Sequence, residues 1–328
     1  MTTVNLIIPG SIWPEVADLD YILHEARFDG LIKIFNRAHV SSYSLNYSDF
    51  MYNSCFVDHN LSLAANYAIQ LNLDKNKNYL LVEPTNLRPD RDRLLIAESD
   101  ILQLNEEEAN HLIEGLNEYF NPDEVHFYLI DEHKWLVELP YKVDQLSSYP
   151  LIDIIGSNID DYLPAGENYL LVHRLLNEVQ MLLHSHPINQ ERQQDGLMQI
   201  NSIWLWDKNY KQLPREIQQI VRFDTLDGLL ANTNASAHNK AILIDSVYFA
   251  LCYRDSFAWV NNMNKIVAKI IDPALKLLQQ GKIAKLNLWI PMITCTRCVS
   301  LSRISLYKFW KKADYKSILS RWENQNEL

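Results

Sequence analysis

Residues 240–291 read KAILIDSVYFALCYRDSFAWVNNMNKIVAKIIDPALKLLQQGKIAKLNLWIP. A short apolar strand, KAILID, precedes a long run of helical periodicity from Ser256 to Gln279, which stops near Gly281. A second apolar strand, IAKLNLWIP, follows. Short apolar runs alternating with segments of 3.6-residue period predict an α/β sandwich rather than separate all-α and all-β parts. Outward from this stretch the alternation continues. VNLIIPG at 4–10 reads as a buried strand, Asp18 to Phe35 has helical periodicity, and NYLLVEP at 78–84 is another apolar strand. Asn105 with Glu108 three residues on resembles an N-cap with an acid at N3, opening a helix to about Phe120. VHFYLID and KWLVEL then form a predicted hairpin, Tyr169 to His184 a helix ended by Pro187, and INSIWLW at 200–206 a strand. No repeat, low-complexity tract or Pro/Gly/Ser linker interrupts the chain. The economical organisation is a single α/β domain over residues 1–328, with an inserted lobe around 100–165.

With 328 residues, 48% hydrophobic and 11% aromatic, the chain can fill a sizeable core. The opening MTTVNLIIPGSIWPE has no basic residue before its short apolar run, and no apolar run approaches the roughly 20 residues that cross a bilayer. A soluble, cytoplasmic protein without membrane partners is expected. The net charge of −11 argues against general nucleic-acid affinity. From Lys282 to Leu328, however, nine Lys/Arg stand against three Asp/Glu. That basic segment could meet a protein partner or pair with the chain's own acidic surface. Four cysteines make no disulfide framework, and CTRC at 295–298 lacks the second ligand pair of a structural zinc site. Neither GxGxxG, GxxxxGK[ST] nor GxSxG occurs, so dinucleotide, P-loop and nucleophile-elbow chemistry have no support.

Three constellations could carry a site. In NEVQMLLHSHPIN, 177–189, the positions of His173, Asn177, Gln180 and His184 share one helical face, and His186 and Asn189 follow. Such a polar, mostly uncharged stripe suits hydrogen bonding to a ligand. It suits equally the satisfaction of neighbouring backbone groups, with His184 and His186 closing the helix. In EPTNLRPDRDRLLI, Asp90, Arg91, Asp92 and Arg93 alternate between two strands, and the guanidinium groups could fork a phosphate or carboxylate, or simply tie the strands by ion pairs. INSIWLW carries Asn201, Ser202, Trp204 and Trp206, and strand alternation puts Ser202, Trp204 and Trp206 on one face, where indoles could floor a pocket or fill the core.

Taken together, LIIPG, PTNLRPDRDRL, LLNEVQMLLHSHPIN, INSIWLW and LYKFWKK resemble a bacterial family labelled phosphoglycerate mutase or RpfE-type regulatory protein. More distantly, INSIWLW before an LP turn, KAILID before a long helix, and the last strand are similar to the archaeal-type cofactor-independent phosphoglycerate mutases of the alkaline phosphatase superfamily. That resemblance implies a three-layer α/β/α sandwich around a mixed, largely parallel sheet, with ligands at the carboxyl ends of its strands. It also implies two divalent metals held by an Asp after the first strand and an Asp-His pair after a late one. This chain has Pro9-Gly10-Ser11 and Pro291-Met292-Ile293 there, leaving Asp245 as one acid. The expectation is therefore a catalytically degenerate relative: a regulatory protein binding a small anionic or phosphorylated ligand through Asp90 to Arg93, Asn177, Gln180, His184, His186, Asn189, Asn201 and Trp204. No cofactor is expected. The alternative is a metal-dependent phosphotransferase or phosphohydrolase with a rebuilt site, using Mn or Zn and His184 or His186 as catalytic groups.

Overall fold

The structure, a computed structural model, describes residues 3–13, 18–90, 93–96, 99–217, 219–222, 240–292, 295–307 and 316–317. Its strands in chain order are β1 (Thr3–Ile7), β2 (His39–Tyr43), β3 (Asn78–Thr85), β4 (Leu87–Asp90), β5 (Arg93–Ile96), β6 (His126–Asp131), β7 (Lys134–Leu139), β8 (Leu146–Ser147), β9 (Ala165–Gly166), β10 (Ser202–Trp206), β11 (Gln219–Arg222), β12 (Lys240–Leu243), β13 (Lys285–Pro291) and β14 (Thr296–Ser302). The chain divides into two compact units, one of Met1–Phe50 with Leu213–Leu328, the other of Met51–Gln212. The second takes in residues 100–165, where an inserted lobe was expected. No helix among the described residues is long and apolar enough to cross a membrane.

In the first unit six strands form one sheet in the order β11-β12-β1-β13-β14-β2. The pairs from β11 to β13 are parallel, and β14 runs antiparallel to both of its neighbours. The sheet is thus mixed and mostly parallel, in an α/β setting, as expected. Strand alternation sends Val4 and Leu6 of β1, with Leu286, Leu288 and Ile290 of β13, to one face. There they join Leu31 and Ile34 of the helix Asp29–Arg37, and Trp259, Val260 and Met263 of the helix Ser256–Ile266, in one buried cluster. The long helix expected over Ser256–Gln279 is not uniform. A π-helical turn, Val267–Ile271, separates Ser256–Ile266 from Asp272–Gln279. The physical reason is Pro273, which has no N–H to give and a ring that crowds the preceding turn; a wider turn just before it relieves both.

At the end of β1 the chain turns through Gly10 at φ +72°, where an added Cβ would lie 2.9 Å from the Cα of Tyr248. Backbone cannot give way there as a flexible side chain could. Gly10→Ala should lower stability by at least about 2 kcal/mol, from the left-handed backbone and the clash together. A urea midpoint unchanged by that substitution would refute this account of the turn.

The second unit is built on an antiparallel sheet in the order β10-β3-β7-β6. The predicted hairpin of VHFYLID and KWLVEL is the β6–β7 pair. Leu112, Ile113 and Leu116 of the helix Glu106–Phe120, and Val172, Val179 and Leu183 of the helix Tyr169–Ser185, pack with Leu80, Val82, Val137 and Leu205 of the sheet. The capping box read at Asn105 is present: its side chain accepts from the Glu108 N–H at 2.9 Å, and the Glu108 carboxylate accepts from the Asn105 N–H at 3.1 Å. β4 and β5 form a separate antiparallel two-stranded ribbon in which Asp90 is in register with Arg93.

Candidate functional site

In the second unit, the polar residues expected to bind a ligand make hydrogen bonds within the protein. The buried Asn189 amide donates to the Leu183 and Ile200 carbonyls and accepts from the Ile200 N–H, all at 2.7 Å. Asn201 does the same for the start of β4, donating to the Leu87 carbonyl at 2.8 Å and accepting from its N–H at 2.7 Å. Gln180 donates to the Ser202 hydroxyl at 3.2 Å, the Trp204 indole N–H to the Tyr149 carbonyl at 2.8 Å, and a His173 ring nitrogen lies 2.8 Å from the Pro164 carbonyl. Gln180, Asn189, Asn201 and Trp204 therefore gather along β10 and its flanks. Asn177 and His184 do not join them; both are exposed on the outer side of their helix. The Asp90 and Arg93 side chains, and Arg91 and Asp92 entirely, lie outside the described residues. So do Lys308, Lys311 and Lys312 of the basic segment.

His186 has a structural task. It caps the helix Pro187–Gln194, its Nδ1 accepting from the Ile188 N–H at 3.3 Å. Its Nε2 rests against Gly115, where a Cβ would come within 3.0 Å. Burial, and secondarily the charge of His111, hold its pKa below the ordinary histidine value. A group whose folded pKa is depressed contributes stability that is present above its unfolded pKa, near 6.5, and is lost as the pH falls through the folded value. His186→Asn keeps a cap but cannot titrate. Denaturant midpoints should fall more steeply for the parent than for the variant between pH 7.5 and 5.5, and parallel curves would contradict this role.

In an open α/β sheet, ligands gather at the carboxyl ends of the strands. In the first unit, that end presents Ser11, Asp245 and Met292. Asp245, half-buried, accepts from the Tyr47 hydroxyl at 3.4 Å, and the Tyr47 ring packs on Tyr248 with centroids 4.6 Å apart. The buried Ser11 hydroxyl has no hydrogen-bond partner among the described residues. No group of three His, Cys, Asp or Glu able to hold a metal ion occurs among those residues. A two-metal phosphoryl-transfer centre needs several such ligands around both ions, and this donor set does not fit one. The CTRC motif, with Cys298 in β14 and Cys295 just before it, brings no third ligand with it among the described residues.

The first unit also holds a cavity of about 430 Å³ on the sheet face opposite its helix-packed core. Its floor follows from register. Asn5 pairs with Asn287, Asn287 with Ser300, and Ser300 with His39, a row of polar side chains across β1, β13, β14 and β2. The next row is Trp289, Cys298 and Ser41, and the row on the other side is Lys285 with Ser302. Inner strands of such sheets are ordinarily apolar on both faces, and a buried amide is costly unless bonded. Here the amides bond one another. The Asn287 amide donates to the Asn5 side-chain Oδ1 at 2.8 Å, the Trp289 indole donates to the same oxygen at 3.2 Å, and the Ser300 hydroxyl donates to Asn287 Oδ1 at 2.7 Å. The sequence did carry this signal: TVNLI and KLNLW each place an asparagine mid-strand among apolar residues, and no motif search finds it.

Residues 67–189, wholly within the second unit, match the family model described as 2,3-bisphosphoglycerate-independent phosphoglycerate mutase. A Geobacter sulfurreducens protein named "Probable 2,3-bisphosphoglycerate-independent phosphoglycerate mutase" is 30% identical over 125 residues, 38% of this chain and 31% of the relative. The Methanosarcina acetivorans 2,3-bisphosphoglycerate-independent phosphoglycerate mutase is 29% identical over 118 residues, 36% of this chain and 30% of the relative. The alignments thus take in about a third of the length of these relatives. A solved cofactor-independent phosphoglycerate mutase from Thermoplasma acidophilum aligns over 97% of this chain and 94% of its own at 13% identity and a TM-score of 0.36. At that distance it adds nothing to the fold read from the sheet itself.

Proposed function

We propose that the chain is a relative of the cofactor-independent phosphoglycerate mutases that no longer performs metal-dependent phosphoryl transfer and serves as a regulatory, small-molecule-binding protein. One observation carries the reading: among the described residues, β1, β12 and β13 of the mostly parallel sheet are followed by Ser11, by Asp245 hydrogen-bonded to a phenol, and by Met292, in place of a set of carboxylates and imidazoles. The resemblance to RpfE-type regulatory proteins supports the regulatory half, and the family match over residues 67–189 supports the kinship. The rival phosphotransferase would need His184 or His186, and the first is exposed while the second is occupied as a helix cap.

The test is elemental analysis of the purified, undialysed chain beside a mutase assay with 3-phosphoglycerate and added Mn²⁺. The expected result is no stoichiometric metal and no turnover. One or two Mn or Zn ions per chain, with turnover abolished by Asp245→Ala or His184→Ala, would establish the enzyme instead.

A further inference from the structure

The cavity over the asparagine row has two charges of opposite sign that do not meet. Lys285 and Glu216 both line it, and among the described residues neither side chain takes part in an ion pair or hydrogen bond. Glu216 is held there through its backbone, whose carbonyl accepts from the Asn5 amide at 3.0 Å. Both charges reach the Cys298 thiol: burial is the main cause that pushes its pKa up to about 11, Lys285 works against the rise, and Glu216 adds to it. Lys285, Glu216 and the buried Cys298 all line the cavity. An anion would satisfy Lys285 and be repelled by Glu216, and a cation would meet the reverse. A ligand carrying both signs satisfies both.

The rest of the lining fits such a ligand. Ser41, Ser300, Ser302 and Ser305 offer hydroxyls that can donate to a carboxylate or accept from an ammonium. Trp289 and Tyr43, with ring centroids 5.1 Å apart, give an aromatic wall against which an apolar group can lie. The volume of about 430 Å³ suits one small molecule rather than a dinucleotide. From these features we infer that the cavity binds a free α-amino acid, its carboxylate on Lys285 and the serine hydroxyls and its ammonium on Glu216. This goes beyond the proposed loss of phosphoryl transfer and does not depend on it. A chain that turned over 3-phosphoglycerate and also bound an amino acid here would refute the former and leave this assignment standing.

Calorimetric titration of the full chain with a panel of free amino acids, inorganic phosphate and glycerol 3-phosphate tests it. At least one amino acid should bind, and its N-acetyl and carboxamide derivatives should bind at least about tenfold more weakly, as loss of a charge-assisted contact requires. Lys285→Met and Glu216→Gln should each weaken binding of the parent amino acid by a similar factor. Among the described residues neither side chain has a hydrogen-bond or ion-pair partner to lose, so both variants should melt as the parent does, and the blocked derivatives test the same contacts on the unaltered chain. The assignment is overturned if no amino acid binds, or if binding is indifferent to both substitutions. Binding of phosphate or glycerol 3-phosphate that needs Lys285 but not Glu216 would overturn it too, making the cavity a simple anion site.

Discussion

Arg192→Ala should lower the stability of the chain by about 3–5 kcal/mol, the usual result of removing one partner from a buried charge pair. Arg192 is 1% exposed. Its guanidinium donates to the Glu108 carboxylate at 2.7 Å, to the Met198 carbonyl at 2.9 Å and to the Leu102 carbonyl. Glu108 also closes the capping box, so one cation fixes the start of the helix Glu106–Phe120 and the turn leading into β10. Its loss leaves a carboxylate and two carbonyls short of a donor at once. Arg192→Met, which keeps the apolar stem, should recover only the packing share, and Arg192→Met with Glu108→Gln should recover more because the stranded charge is gone. Urea unfolding of the three variants reads this directly, and a loss below about 1 kcal/mol for Arg192→Ala would show the contact to be ornamental.

Asn5→Leu should cost about 3 kcal/mol even though the two side chains are close in size. The Asn5 oxygen serves both the Asn287 amide and the Trp289 indole, and its NH₂ group holds the Glu216 carbonyl. Leucine leaves those donors and that acceptor facing hydrocarbon, and the penalty for a buried unsatisfied group exceeds the net worth of the bond it replaces. Adding Asn287→Leu should restore part of the loss, since a face with both amides removed is closer to the ordinary apolar face of an inner strand. Unfolding midpoints that fall further in the double variant than in the single one would mean the row is held by packing rather than by its hydrogen bonds.

Local signals in the sequence were reliable where one chemical reason acts alone. Asn105 with Glu108 specifies a capping box, Pro187 stops a helix, and the alternation around 125–139 specifies a hairpin; all three are in the structure. Pro273 was also visible, but periodicity on either side of it masked the π-turn, because a wide turn does not change which residues are apolar. The polar stripe is ambiguous in sequence for a physical reason. An asparagine on a helix face looks the same whether it binds a metabolite or, as Asn189 does, two carbonyls and an N–H of its own chain. Non-local pairing hid how the polar row assembles: the mid-strand asparagines stand in the sequence, but Asn5 and Ser300 carry no sign of each other until β13 lies between β1 and β14.

The division of the chain sets the order in which these parts can form. Met51–Gln212 is one uninterrupted stretch, while the sheet of the other unit draws on residues from both sides of it. During synthesis β1 leaves the ribosome early, yet its two partners, β12 and β13, emerge only after the whole intervening unit. β2 waits in the same way for β14. The nascent chain must therefore carry two strands with open backbone edges while the intervening unit is made and can fold, a period in which such edges invite pairing with other chains. Refolded from denaturant, the unit containing the sheet of six strands should be the slower to form, since its closing contacts span the longest loops in the molecule.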